Sequence, residues 1–576
     1  MTVRYLLLSG FHVPADVVLA GCLAVAVSMD ALAGQSPAVR PPLWIDNDAQ
    51  PIPEKPRERL VSELYAILYN SWFRPLNLEQ HVTAAHDDGS LNVNAWDEVP
   101  DSCWFTNRIG RRAMTFEEIR HGLKGKEPEP GPWNVDHIRD EGYTPKIQIT
   151  DASGERYMLK FDLPEKPERN SGAERICTLI MHAAGYNVPF NTIVYFRGEQ
   201  LVLTKDSYYR DALKKHRPLT PERLEALRGK AKPTPDGRYR GMASQFLTGE
   251  RLGPFVYVGT RKDDPNDRIP HELRREIRGM RVIASWINHA DVKDVNAMDV
   301  YVGDREGKGG HVEHYMLDFG STMGSGDFIH GPYRVGHEYI YDGAAIGKSL
   351  VTLGLYQRPW EVKGKIPFPE VGYYSAELFE PDKWKPNYPN LAFLRSDDSD
   401  CYWGAKIVTA FSDKTVRRLA EAGEYSRAEV TKHVEEALKR RRDAIGTYWF
   451  NRITPLEEAK LESGKLSFRD LALERGYADA ASRAYRIRAF NVYGKEIGAA
   501  KIIRTDRGVV DLPEQVLRPA AAASSADRYG RRPAVRLLVQ SNRRDRGWAL
   551  PVEIILGYRG NEWVLELLGW YHAPRG

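Results

Sequence analysis

The stretch His289-Ala290-Asp291-Val292-Lys293-Asp294-Val295-Asn296, followed by Leu317-Asp318-Phe319-Gly320, decides the fold of this chain. It reads H-x-D-x-K-x-x-N and then D-F-G. Between the two, Met298 to Val302 and His314 to Leu317 read as a strand pair that presents Asp318. D-F-G alone can occur by chance in a chain of 576 residues, about 5–10% of the time from residue frequencies, and the joint pattern in this order is far rarer.

Upstream, Arg156-Tyr157-Met158-Leu159-Lys160-Phe161-Asp162 alternates as a strand does and carries Lys160 near its end. After a loop, Ser171-Gly172-Ala173-Glu174 opens a helical run, Arg175 to Ala184, that stops at Gly185, a normal helix terminator. Taken alone, Lys160 and Glu174 are ordinary solvated charges. Their order ahead of the loop sets them apart from such charges.

These residues resemble the protein-kinase-like superfamily, over about residues 130 to 450. The resemblance implies an α+β, two-lobed protein-kinase-like fold and an ATP- and Mg²⁺-dependent phosphoryl transfer, with Mn²⁺ as an alternative metal. In that reading Asp291 stands near the attacking hydroxyl, and Asn296 and Asp318 hold the metal. Lys293 offsets charge on the transferred phosphate, and His289 braces the loop. Lys160 reaches the ATP phosphates and Glu174 pairs with it. The chain departs from typical protein kinases at the turn between its first strands, where there is no G-x-G-x-x-G and Gly142 is the only glycine. Atypical kinases resembling the HipA, spore-coat CotH and phosphoinositide groups also lack that loop, so the resemblance narrows to them. Gly142 is the remaining candidate for the nucleotide turn.

The length implies about three or four units. An apolar content of 42% and a formal net charge of +4 describe a globular protein with no nucleic-acid footprint. The four cysteines, Cys22, Cys103, Cys177 and Cys401, form no C-x-x-C pair, which leaves zinc chemistry and a dense disulfide framework unsupported. Lys439-Arg440-Arg441-Arg442 reads as the solvated face of a helix.

Residues 1–33 read as a secretory signal, with Arg4, the apolar run Val17 to Met29 and the small-residue site Ala31-Leu32-Ala33. The run is too short for a transmembrane span, and Leu19-Ala20-Gly21-Cys22 offers a lipid anchor at Cys22 as an alternative. Residues 34–129 form a linker and amino-terminal extension, including a helical period from Arg57 to Tyr69. Its aromatic stretch Asn92 to Arg108, with Trp96 and Trp104, reads as packing against the core or as a substrate-contacting loop.

The small lobe is expected over 130–250, with strands at Trp133 to Ile138 and Lys146 to Thr150 and a hairpin of Asn191 to Phe196 with Gln200 to Lys205. The large lobe follows over 251–455, with helices at Glu272 to Trp286, Trp403 to Ala422 and Ser426 to Phe450. Gly320 to Gly336 resembles an activation-type segment, and Phe368-Pro369-Glu370 is weakly similar to the motif that closes one. Residues 456–576 read as a small β domain broken at Pro519 to Ser525.

The expected function is an ATP- and Mg²⁺-dependent phosphotransferase acting in the periplasm or after secretion, as in secreted bacterial members of the resembled group. Its acceptor is a protein or a small hydroxylated molecule. A binding module that keeps the fold without transfer, and an AMP transferase using the same residues, are the competing classes.

Overall fold

The computed structural model describes residues 48–76, 89–139, 145–211, 213, 215–303, 309–326, 333–363, 366–491, 494–505, 508–517, 533–545, 547–559 and 562–570. The leader with Cys22, Gly142, and the segment Pro519 to Ser525 lie outside the described residues, as does part of Gly320 to Gly336.

Alternating apolar residues build the first strands, β1 (Trp133–Arg139), β2 (Lys146–Thr150) and β3 (Arg156–Phe161). With β4 (Asn191–Phe196), β5 (Leu201–Arg210), β6 (His216–Pro218) and β7 (Tyr239–Gln245) they form a mixed seven-stranded sheet in the order β4-β7-β3-β2-β1-β5-β6. Ile147, Ile149, Tyr157 and Leu159 enter one buried layer with Leu224 and Leu227. Side chains alternate across a strand, so Lys146 and Lys160 face the other way.

The expected hairpin of Asn191 to Phe196 with Gln200 to Lys205 does not form. β4 pairs with β7, whereas β5 runs parallel to β1 several strands away. Phe196 and Leu201 both enter the layer under Trp133, and burying them there takes the chain across the sheet. A one-turn 3-10 helix, Gly198–Gln200, makes the change of direction.

The helices that frame the cleft and its supports are α1 (Glu63–Leu68), α2 (Phe116–Gly122), α3 (Arg169–Ala184), α4 (Pro221–Arg228), α5 (Arg275–Ile287), α6 (Asp398–Thr409), α7 (Asp413–Glu421) and α8 (Ala428–Arg452). α3 starts at Arg169, earlier than its sequence pattern suggests. Asp162, just after β3, accepts from the amides of Asn170 (2.8 Å) and Ser171 (3.0 Å) and so caps the helix from eight residues away. The run from Trp403 to Ala422 is two helices, because Ser412 caps α7 and ends the first.

One sequence expectation about a surface is corrected. Arg441 and Arg442 of the basic run are buried, and Arg441 donates to the carbonyls of Trp286 and Ser375, both at 2.9 Å, and to that of Ser285. They add donors to carbonyls of neighbouring segments, of which that of Trp286 also accepts from the Tyr374 hydroxyl and that of Ser285 from the Asn288 amide. The helical period of Arg57 to Tyr69 yields α1 only from Glu63; Ala66 alone in that helix is buried, and Leu64 within it and Leu60 before it are 68% and 89% exposed. The aromatic stretch is a packing segment, since Val93, Val99, Trp104 and Phe105 are all buried.

A short strand β8 (Glu250–Arg251) joins an antiparallel hairpin, β9 (Ala297–Gly303) and β10 (Gly310–Met316). Beyond α8, β11 (Leu456–Glu462), β12 (Lys465–Asp470), β13 (Ala484–Phe490), β14 (Lys501–Arg504) and β15 (Val509–Asp511) are followed by β16 (Pro533–Ser541), β17 (Val552–Arg559) and β18 (Glu562–Trp570). They form sheets of three and five strands. Leu456, Val539, Ile554 and Leu568 of these sheets share one buried cluster with Trp286, Trp403 and Phe450 of the helices. Among the described residues no helix is long and apolar enough to cross a membrane.

Candidate active site

α5 ends at Asn288, whose left-handed backbone (φ 50°) turns the chain so that the His289 amide bonds back to the Ala284 carbonyl at 2.8 Å. Trp384 fixes the turn by donating its indole N–H to Asn288 Oδ1 at 2.9 Å. The loop from His289 therefore leaves the helix in a set direction.

Asn296 and Asp318 are far apart in sequence but adjacent in space. The hairpin β9–β10 closes with Ala297 opposite Met316, which places the residues just outside it together, and the Leu317 amide donates to the Asn296 carbonyl at 2.9 Å. Beneath it, Asp299 accepts from His314 Nδ1 and from Arg261, each at 2.7 Å, and Trp104 stacks on His314 with centroids 3.6 Å apart. The aromatic stretch thus braces the hairpin that carries the site.

Within the loop, Asn296 Nδ2 donates to both the carbonyl and Oδ2 of Asp291, each at 2.9 Å. Lys293 Nζ lies 3.2 Å from the same Oδ2. Asn387 donates to the other oxygen, Oδ1, at 3.3 Å. Burial raises the Asp291 pKa, against the pull of Lys293 and Asn296. Burial also disfavours the charge on Lys293, yet Asp291 and Glu63 outweigh it and raise its pKa. His289 is buried against the Phe319 ring, 5.3 Å between centroids, and its pKa is pushed down to about 4 by burial. A neutral imidazole in that position packs the loop.

The small sheet contributes Lys160. Its Nζ lies 2.7 Å from Glu174 Oε1 and 2.9 Å from Asp318 Oδ1. Burial opposes the charge on Lys160, but Asp318 and Glu174 more than compensate and raise its pKa. Lys160 first, then Lys146 and Lys293, hold Asp318 well below the usual carboxylate range despite burial. Glu174 is pushed up by burial, and by the nearby charge of Asp318, even though Lys160 pulls it down. Asp318 itself has a left-handed backbone, φ 58°, which Asp tolerates better than most residues.

The cleft so formed is lined by Lys146, Lys160, Glu174, Asp291, Lys293 and Asp318 and encloses about 170 Å³. A larger groove of about 1080 Å³ lies elsewhere, between Trp96, Lys406 and Leu568, and holds none of these residues. Asp291, Lys293, His289, Asn296, Asp318, Lys160 and Glu174 are thus gathered in one region. Glu63, Lys146 and Asn387 stand there too, although no pattern in the sequence singled them out.

Asp318 and the Asn296 amide oxygen are hard donors suited to Mg²⁺ or Mn²⁺. Among the described residues no group of three or more His, Cys, Asp or Glu could hold a metal. Two protein oxygens suit an ion that takes its remaining ligands from phosphates and water.

No family model matches the chain, and no curated protein matches it. Three solved kinase structures are similar to it. The Golgi casein kinase aligns over 70% of this chain and 94% of its own, at 11% identity and a TM-score of 0.28. The same kinase with Mn/ADP bound aligns over 69% and 94%, at 10% identity and 0.27. A Rio2 kinase–ADP/Mg²⁺–phosphoaspartate complex from Chaetomium thermophilum aligns over 54% and 72%, at 11% identity and 0.19. Likenesses this distant carry no weight for fold or activity, which rest on the residues of the cleft.

Proposed function

We propose that the chain is an ATP- and Mg²⁺-dependent phosphotransferase on a two-lobed, atypical kinase-like fold, acting outside the cytoplasm on a protein acceptor. The observation that carries the reading is the meeting of the Lys160–Glu174 pair with Asp318 beside the Asp291–Lys293–Asn296 loop.

In this reading the sheet of β1 to β7 and α3 form the small lobe, and α5 to α8 the large one. Lys160, fixed by Glu174, positions the nucleotide phosphates. Asp318 and Asn296 would hold Mg²⁺, which when bound neutralises phosphate charge. Asp291, oriented by three donors, accepts the proton of the acceptor hydroxyl. Lys293 offsets negative charge next to it. Asn387 and Trp384 bring a proline- and tryptophan-rich segment against the loop, which narrows access and favours one restricted acceptor over many peptides.

The test is incubation of the purified chain with Mg²⁺ or Mn²⁺, labelled ATP and the extracytoplasmic extract of its source. Label from the γ-phosphate on a protein supports the reading. Label on small polyols or sugars alone overturns the choice of acceptor, and label from the α-phosphate replaces the kinase with AMP transfer. No transfer of either label leaves a binding module. Amino-terminal sequencing of exported material, expected to begin near Gly34, tests the location.

A further inference from the structure

We propose that Lys146 is a phosphate-binding residue of the cleft, a point charge for the nucleotide's terminal phosphates where a glycine-rich turn would offer backbone amides. The proposal rests on the phosphotransferase reading above.

Position is the first support. Lys146 is the first residue of β2, and it lies opposite Lys160 in the antiparallel register. Directly opposed residues share a face of the sheet with their Cβ atoms about 5 Å apart. Both ammonium groups therefore serve one side of the sheet, and both line the cleft with Asp291 and Asp318.

Commitment is the second. Lys160 is held by Glu174 at 2.7 Å and Asp318 at 2.9 Å, and Lys293 by Glu63 at 2.6 Å and Asp291 at 3.2 Å. Lys146 has, among the described residues, only a long 4.0 Å ion pair with Asp318, and its side chain is 29% exposed. An exposed pair at that distance contributes little to folding. Of the three lysines, Lys146 is the one whose charge is least used by the protein itself.

Charge balance is the third. Lys146, Lys160 and Lys293 face four lining carboxylates, Asp162, Glu174, Asp291 and Asp318, so the cleft carries a formal charge of minus one without Glu63 at its rim. A divalent cation on Asp318 would leave an excess of one positive charge, which suits the nucleotide's phosphates. Removing Lys146 would cancel that excess. An ammonium is a compact cation well suited to phosphate oxygens.

Isothermal titration of the full chain with Mg·ATP and with adenosine tests this. K146M is expected to weaken Mg·ATP by about tenfold, the scale of one charge-assisted contact, while adenosine binding stays unchanged and K146R restores part of the loss. Amine footprinting of the unmutated chain is expected to show Lys146 protected by Mg·ATP and not by adenosine, which keeps the test independent of how a variant folds. Equal Mg·ATP affinity in K146M, equal loss of adenosine, or an unprotected Lys146 would each overturn the assignment while the kinase reading stands. If the unmutated chain binds no Mg·ATP, that reading fails and the role of Lys146 fails with it.

Discussion

Glu63 Oε1 lies 2.6 Å from Lys293 Nζ, although 230 residues separate them. The amino-terminal extension thus reaches the loop on which the proposed chemistry depends. Lys293 is shared by two carboxylates, Asp291 inside the cleft and Glu63 at its rim. Replacing Glu63 by Gln should leave Lys293 to Asp291 alone. Glu63 is 46% exposed, so the expected effect is a fall in kcat of about three- to tenfold with nucleotide KM unchanged. Steady-state kinetics decide it, and a rise in nucleotide KM with kcat intact would contradict the role.

Asp291 must be ionised to accept a proton, and burial raises its pKa. The acid limb of kcat/KM should therefore lie above the ordinary aspartate value of about 3.9. Asn387→Ala removes a donor that favours the charged carboxylate, so the limb should move further up. A pH–rate profile in which the variant's limb moves down would show that Asn387 does not act on this carboxylate.

Asp318→Asn keeps a residue that tolerates the left-handed backbone and removes the charge. It should weaken Mn²⁺ binding in the presence of nucleotide at least tenfold, as read by electron paramagnetic resonance. Asp291→Asn should abolish transfer and spare metal binding. Equal losses in both variants would mean that the two aspartates do not divide the work as proposed.

Lys160→Met should raise nucleotide KM and cut turnover, because Glu174 and Asp318 would lose the lysine they share. Glu174→Gln should do the same more weakly. Unchanged KM in both would detach this pair from the phosphates.

Three histidines, His182 and His289 buried and His337 half-buried, set a stability trend with pH. Burial pushes His182 down to about 3 and His289 and His337 to about 4, whereas an unfolded histidine titrates near 6.5. The unfolded state therefore binds more protons below about pH 6.5, so stability should fall on acidification from there towards the folded values. Each group adds a slope of about 1.4 kcal/mol per pH unit within its window. Chemical denaturation between pH 7 and 5 should be shallower in His289→Gln, and an unchanged slope would show that this histidine is not linked to folding.

The parts of the site that lie in one stretch were legible in the sequence. Asp291, Lys293 and Asn296 meet through a loop of eight residues, and Asp318 joins them through a hairpin whose alternation is plain. Lys160 stands out because its strand alternates cleanly, and Glu174 because its helix is long and ends at a glycine. What was not legible depends on contacts without a local pattern. Glu63 and Asn387 arrive from segments that no periodicity connects to the loop. The start of α3 is set by Asp162 across an intervening loop, and β5 is placed by where Leu201 finds its core. Lys146 looked like any polar residue on the face of a strand, and only its register opposite Lys160 distinguishes it.

The buried cluster that runs from Val93 to Leu568 bears on the order in which the molecule is made. The Leu568 amide of β18 donates to the Ala95 carbonyl at 3.0 Å, so a late strand clasps an early segment. A ribosome completes residues 289–320 well before β16 to β18, and during that interval α6 and α8 still lack apolar partners from those strands. Chains tend to fold from the amino end during synthesis, but this contact cannot close until residue 568 has emerged. The helices behind the cleft are made in the middle of translation and receive their last apolar partners from its end.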